Sequence, residues 1–198
     1  MLAVSKYVPD AAVACLIDAG QRQFGESRPQ ALRDRAGQWP ACDWHMIGPL
    51  QANKAKYVGR HAGFWHSVED IDTACRVAGH VPEGRRLPVL IQVNSAGNPG
   101  QHGVAADAAA IARLADQLAE LPQLEWKGLM TMGPVEGDPR PAFAHARRLR
   151  DELFGGSLAT LCMGMSGDYR IAIEEGATMV RLGSTLFGAW DQRSTDKG

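Results

Sequence analysis

Leu2-Ala3-Val4-Ser5-Lys6 is followed, after two residues, by Pro9-Asp10. The first stretch is a short apolar run that reads as a strand. The second opens a helix: proline already has the φ of an initial helical turn, and Asp10 suits the positive end of the helix dipole. This strand-then-helix unit decides the fold, because it recurs. Apolar, β-rich runs at 2–5, 22–25, 43–47, 64–68, 89–94, 125–130, 158–163 and 178–182 make eight candidate strands with helical patterns between them.

The connecting segments carry their own signals. Ser67 and Asp70 resemble a capping box, with Asp in place of the usual Glu or Gln. Val104, Ala108, Ile111, Ala115 and Leu118 form one apolar face at helical spacing. Asp138 and Pro139 open a helix whose buried side is Phe143, Ala146, Leu149 and Leu153. Arg147, Arg148 and Arg150 read as its solvated face.

Strand alternating with helix implies parallel strands and right-handed crossovers. Eight such units are what a closed (β/α)8 barrel of the TIM type needs, so the fold class is α/β. The alternative is an open doubly wound sheet, but no G-x-G-x-x-G follows an early strand to favour it. Nothing in the composition marks a boundary, so 1–198 reads as a single domain. The chain begins directly on a strand. The helix that often covers the bottom of such barrels is therefore expected to be missing, leaving an exposed apolar patch there.

Of the 198 residues, 45% are hydrophobic and 22% charged, which is ordinary for a globular protein that buries a core. A net charge of −1 gives no general attraction to nucleic acid or to an anionic membrane. No signal peptide or membrane-length apolar run is visible, which predicts a cytoplasmic protein. Cys15, Cys42, Cys75 and Cys162 include no C-x-x-C pair and no zinc spacing, so they read as reduced thiols and no metal is expected.

In a barrel the active site lies at the C-terminal ends of the strands. The Gly-, Asn- and Pro-rich loops 95–103 and 133–141 follow strands and are expected on that face, with tolerant surface loops as the alternative for each taken alone. Lys6 also stands there, at the end of strand one. A partly desolvated lysine loses some preference for its charged form, and its neutral amine attacks aldehydes. The plain alternative is a solvated lysine at a strand end. Met163-Gly-Met-Ser-Gly-Asp168 follows strand seven, and Arg181-Leu-Gly-Ser-Thr185 follows strand eight. Loops in these places commonly bind phosphate. The Ser166 hydroxyl, the backbone N–H groups of Gly183 and Ser184, and the Arg181 guanidinium are the candidate donors. A helix cap at Ser166 and tight turns at the glycines are the alternatives. A Schiff-base lysine beside a phosphate site points to pyridoxal phosphate or a sugar-phosphate aldehyde.

Five stretches, in order, resemble the pyridoxal phosphate homeostasis protein family: 2–6 (LAVSK), 24–26 (FGE), 44–54 (WHMIGPLQANK), 163–168 (MGMSGD) and 179–188 (MVRLGSTLFG). The resemblance spans essentially the whole chain. It implies a barrel like the N-terminal domain of alanine racemase, with pyridoxal 5′-phosphate (PLP) held as a Schiff base on Lys6. It also implies phosphate contacts from Ser166, Gly183 and Ser184, with Arg181 close by. The 44–54 stretch resembles the family's loop beside the cofactor, which makes His45 and Asn53 candidates for the pocket. Met130, Met132, Met163 and Met165 lie near strand ends, where packing under the cofactor is expected, with Met165 counted in the site. Two departures stand out. Ser27 replaces the family's Asn after Gly-Glu, as a shorter hydrogen-bonding group or a cap for the next helix. Gln101 stands where a lysine is usual.

His61, His66, His80, His102 and His145 show no ligand spacing and read as surface or core histidines. After strand eight only about a dozen residues remain, which predicts no second domain, an open site and a monomer. The expected role is therefore to carry or buffer PLP, with PLP-dependent apo-enzymes as recipients. The alternative is a low-activity racemase or another Schiff-base enzyme such as a sugar-phosphate aldolase, for which Tyr7, His45 and Tyr169 are the visible acid–base candidates.

Overall fold

The computed structural model describes residues 1–155 and 159–188. In chain order its strands are β1 (Leu2–Val4), β2 (Gln23–Glu26), β3 (Asp43–Met46), β4 (Phe64–Val68), β5 (Leu87–Asn94), β6 (Val104–Ala105), β7 (Leu124–Thr131), β8 (Thr160–Cys162) and β9 (Arg181–Leu182). The helices are α1 (Asp10–Asp18), α2 (Pro29–Gln38), α3 (Ala55–His61), α4 (Ile71–Ala78), α5 (Ala108–Ala119), α6 (Arg140–Leu153) and α7 (Tyr169–Glu174). A 3-10 turn, Ala52–Lys54, leads into α3.

The strands run β8-β7-β5-β4-β3-β2-β1-β9, and every pairing is parallel. The ends of this path meet. Cys162 bridges to Met179, the Met163 N–H donates to the Met179 carbonyl at 3.1 Å, and the Arg181 N–H donates to the Gly164 carbonyl at 2.9 Å. Eight parallel strands thus form the expected barrel.

Strand alternation divides the core in two. Phe24, Trp44, Trp65, Ile91, Leu129 and Leu161 face outward and pack with Leu32, Val58, Val77, Ile111, Phe143 and Ala172 of the helices. Leu90, Met130 and Cys162 face inward and pack with Phe64, Met132 and Met179. At the start of strand one Leu2 and Ala3 are fully buried, Ala3 in the outer cluster. Met1, the hydrophobic residue that precedes them at the expected patch, is 50% exposed.

Four local expectations change. Ser67 caps no helix: it is buried in β4, donating to the Gly48 carbonyl at 2.6 Å and accepting from Trp65 Nε1 at 2.9 Å. Asp70 alone caps α4, accepting the Thr73 N–H at 2.7 Å. Val104 belongs to β6, beside Val93 of β5, and not to the α5 face. Gly103 permits this at φ 119°, where a Cβ would lie 2.9 Å from the Asn94 nitrogen. Arg150 is buried and donates to Asp151 and to the Gly176 carbonyl, while Arg147 pairs with Glu175 at 3.1 Å. Of that arginine group only Arg148 is exposed. The expected strand 158–163 is shorter, at Thr160–Cys162, and residue 158 lies outside the described residues.

Candidate functional site

The C-terminal ends of the strands surround a cavity of about 400 Å³. Lys6, Ser27, Met165, Ser166, Arg181, Gly183 and Ser184 all line it. So do Val4, Ile47, Met130 and Met132, which make one wall apolar.

Lys6 follows β1 in a turn closed by the Val8 N–H on the Ser5 carbonyl at 3.1 Å. Tyr7, next in the turn, has φ 64° and is the one non-glycine residue of positive φ among the described residues. The turn is held from behind. Arg35 of α2 donates to the Ser5 carbonyl at 2.8 Å, to the Val8 carbonyl, and to Glu26 Oε1 at 2.8 Å. The Ser5 hydroxyl donates to the same Glu26 oxygen at 2.7 Å. Burial pushes the Glu26 carboxyl up, against the pull of Ser5 and Arg35. The partial desolvation expected for Lys6 is not met, since the residue is exposed.

Opposite, the Ser166 hydroxyl accepts the N–H groups of Gly183 and Thr185, both at 3.2 Å. A helix starts at Ser184. Ser166 thus joins the loops after β8 and β9 into one donor-rich corner and does not cap α7. Arg181 is buried and reaches the cavity from β9. Its Nη1 donates to the Cys162 carbonyl and sulfur, each at 3.2 Å, and its Nη2 to the Thr131 carbonyl at 3.1 Å. No carboxylate pairs with it among the described residues. A buried cation without a counter-charge is costly, and an electron-rich ligand atom relieves it.

Two expected residues do not join the site. His45 faces the barrel interior like Ile47, but two residues earlier and so one layer deeper. It is fully buried, with Nε2 at 2.9 Å from Asp43 and Nδ1 at 2.9 Å from His66. Asn53 is exposed in the 3-10 turn, because the chain reaches the cavity only at Ile47, Gly48 and Pro49. Of the other acid–base candidates, neither Tyr7 nor Tyr169 lines the cavity. Ser27 does not cap α2, whose N-cap is Arg28. Gln101 points to the Met132 carbonyl at 3.5 Å.

His102, expected to be a surface or core histidine, lines the cavity beside Gln92. Its Nδ1 lies 3.0 Å from Glu69 Oε1, and the other Glu69 oxygen accepts the Gly103 N–H at 2.7 Å. Gln92 donates to the His102 carbonyl at 3.1 Å. The available sequence signal was Gln92, a polar residue at an inward position of an otherwise apolar strand.

Below the cavity, His66 is fully buried. Burial, then the nearby His45 and Arg181, hold its ring well below the ordinary imidazole value of 6.5. In the unfolded chain this ring takes a proton below 6.5, whereas the folded one does not. Its contribution is therefore complete above that pH and is lost as pH falls from 6.5 toward the depressed folded value, at up to about 1.4 kcal/mol per pH unit. Urea unfolding at pH 7 and at pH 5.5 checks this. The acid-side loss should shrink in His66→Asn, and equal losses in both proteins would contradict it.

Three comparisons bear on the site. The family model described as "Alanine racemase, N-terminal domain" matches residues 3–191. The curated pyridoxal phosphate homeostasis protein of Escherichia coli is 38% identical over 202 residues, covering 96% of this chain and 86% of that protein. The protein of the same name from Pseudomonas aeruginosa is 38% identical over 196 residues, covering 96% and 84%. Among solved structures, PipY of Synechococcus elongatus with PLP bound is similar at TM-score 0.82 and 35% identity, covering 94% of this chain and 92% of that one. Alanine racemase of Clostridium difficile shares the fold, at TM-score 0.76 and 15% identity, with 94% of this chain matching 51% of that one.

Proposed function

Because the chain belongs to the pyridoxal phosphate homeostasis protein family, we propose that it carries PLP as a Schiff base on Lys6 and buffers or delivers it. The observation that carries this reading is that Lys6, Ser166, Gly183, Ser184 and Arg181 all line one cavity.

The residues fit the cofactor. About 400 Å³ is within the usual range for a small-ligand site. Lys6 and Arg181 line it and no carboxylate does among the described residues, which suits a phosphate-bearing anion. Bound PLP supplies an aldehyde to which an amine adds and an electron-withdrawing ring. The protein's part is to hold and orient. The Ser166 hydroxyl and the N–H groups it now gathers are donors for phosphate oxygens. Val4, Ile47, Met130, Met132 and Met165 offer an apolar bed for a ring. Lys6 must shed its proton before it adds to the aldehyde. Ser27 adds one hydroxyl at the wall.

Ser166→Ala and Arg181→Met are each expected to weaken PLP retention by roughly tenfold or more, the scale of a hydrogen bond to a charged group. Equilibrium titration checks this, with circular dichroism as the control for folding. Unchanged affinity in both variants would place the phosphate elsewhere.

One observation favours a second reading. His102, oriented by Glu69 at the cavity wall, is an acid–base arrangement of the kind a low-activity racemase or another Schiff-base enzyme uses. Incubating PLP-loaded protein with L-alanine separates the two. A carrier gives no substantial racemisation, whereas rapid racemisation lost in His102→Ala assigns an enzyme. The carrier reading further takes the chain as a single-domain, monomeric, cytoplasmic protein with PLP-dependent apo-enzymes as recipients. Its supports are the family match across 3–191 and the absence, among the described residues, of a helix long and apolar enough to cross a membrane.

A further inference from the structure

The barrel interior holds polar side chains that the proposed binding role leaves unused. Asp43, at the start of β3, has a side chain 44% exposed at the end of the barrel opposite the cavity. From there a continuous chain of contacts crosses the interior. Asp43 Oδ2 lies 2.9 Å from His45 Nε2, and His45 Nδ1 lies 2.9 Å from His66 Nε2. His66 Nδ1 lies 3.4 Å from Cys162 Sγ, which lies 3.2 Å from Arg181 Nη1. Between Asp43 and Arg181 every member is fully buried.

With Asp43 ionised and one proton on each ring, these atoms can pair in only one sense. A carboxylate accepts only, so His45 Nε2–H donates to it and His45 Nδ1 is left as an acceptor. His66 Nε2–H must then donate to His45, which leaves His66 Nδ1 as an acceptor. Only the Cys162 thiol hydrogen can fill that place. The sulfur lone pairs are thereby free to accept from Arg181, a group that can only donate. Each donor is matched to one acceptor, and the sense is set by the carboxylate at the far end.

We propose that Asp43, His45, His66 and Cys162 form a one-way hydrogen-bond wire through the barrel that positions the Arg181 guanidinium beneath the PLP cavity. They are positioning residues: none lines the cavity, and all act through Arg181. Buried networks of this kind are rigid when every member is satisfied and costly when one is not. Neutral links also suit a buried arginine with no carboxylate partner among the described residues, because they add no second positive charge beside it.

The effect on PLP rests on the proposed binding role, so the test has an arm that needs no cofactor. In nitrogen NMR of histidine-labelled protein without PLP, His66 should be protonated at Nε2 and bare at Nδ1. In Asp43→Ala the rings should lose this single arrangement and show mixed tautomers. In the cofactor arm, Cys162→Ala should weaken PLP retention roughly three- to tenfold and shift the absorption band of the loaded protein, since Arg181 and His66 each lose a partner. Cys162→Ser, whose hydroxyl donates and accepts in the same places, should restore both. A proton on His66 Nδ1 in the wild-type protein would overturn the wire. So would a Cys162→Ala protein with wild-type affinity and an unmoved band. If wild-type protein takes up no PLP, the binding role fails, while the NMR arm still decides the wire. If Cys162→Ala does not fold, the wild-type and Asp43→Ala spectra decide it.

Discussion

Lys6→Ala is expected to remove the Schiff-base absorption band that PLP should give with the wild-type protein, and to lower affinity by roughly a hundredfold, about 2.7 kcal/mol. The expectation follows from the lining of the cavity. Lys54, Lys56 and Lys127 do not line it, so no other lysine among the described residues can take over at that site. The Ser166 corner and Arg181 remain in the variant, so weak non-covalent binding should persist and titrate separately. A band that survives the substitution would remove Lys6 from its role.

The second large effect lies behind the cavity. Arg35→Met is expected to destabilise the protein by about 3–5 kcal/mol at neutral pH, the scale for breaking a buried ion pair from one side. Glu26 is 2% exposed and the Arg35 side chain 11%, so solvent does little to compensate the orphaned carboxylate. The Ser5 and Val8 carbonyls lose their donor as well, and with it the turn that presents Lys6 is released. PLP uptake should fall along with stability. The pH dependence has a definite sign. Burial already raises the Glu26 carboxyl in the wild-type protein, and without Arg35 it must rise further. In the window between the unfolded and folded values, the folded state of the variant binds more protons. Its deficit should therefore shrink as pH falls and grow as pH rises. Glu26→Gln added to Arg35→Met should recover part of the loss, because it removes the uncompensated charge. Urea midpoints across pH give the answer. A deficit below about 1 kcal/mol, or one that deepens in acid, would contradict the clamp.

How much of this was legible beforehand depends on how local each cause is. The eight barrel strands are local: short apolar runs, each followed by a helix signal, and a strand forms at every run. The corner at Ser166 and Gly183 is also nearly local, since two loops at predictable ends of adjacent strands make it. The clamp was not legible. Arg35 sits among Arg33, Asp34 and Gln38 and looks like any charged helix surface. Only the docking of α2 against β2 turns it inward. His102 was missed for a related reason. Its orienting partner Glu69 is 33 residues away, and the loop between β5 and β6 brings them together. His45 shows the opposite error. Its parity along β3 is that of the cavity-lining Ile47, but depth along a barrel strand is not a property of parity, and His45 lies one layer down. Arg150 and Ser67 repeat the lesson: a polar residue at a helical or capping spacing is placed by its tertiary partners.

The proposed role rests on a covalent link between Lys6 and PLP. Borohydride reduction of PLP-loaded protein, followed by intact mass and peptide mapping, tests it most directly. One reduced pyridoxyl group per chain is expected, carried by the peptide that contains Lys6. A label on another lysine, or none after saturation with PLP, would contradict it.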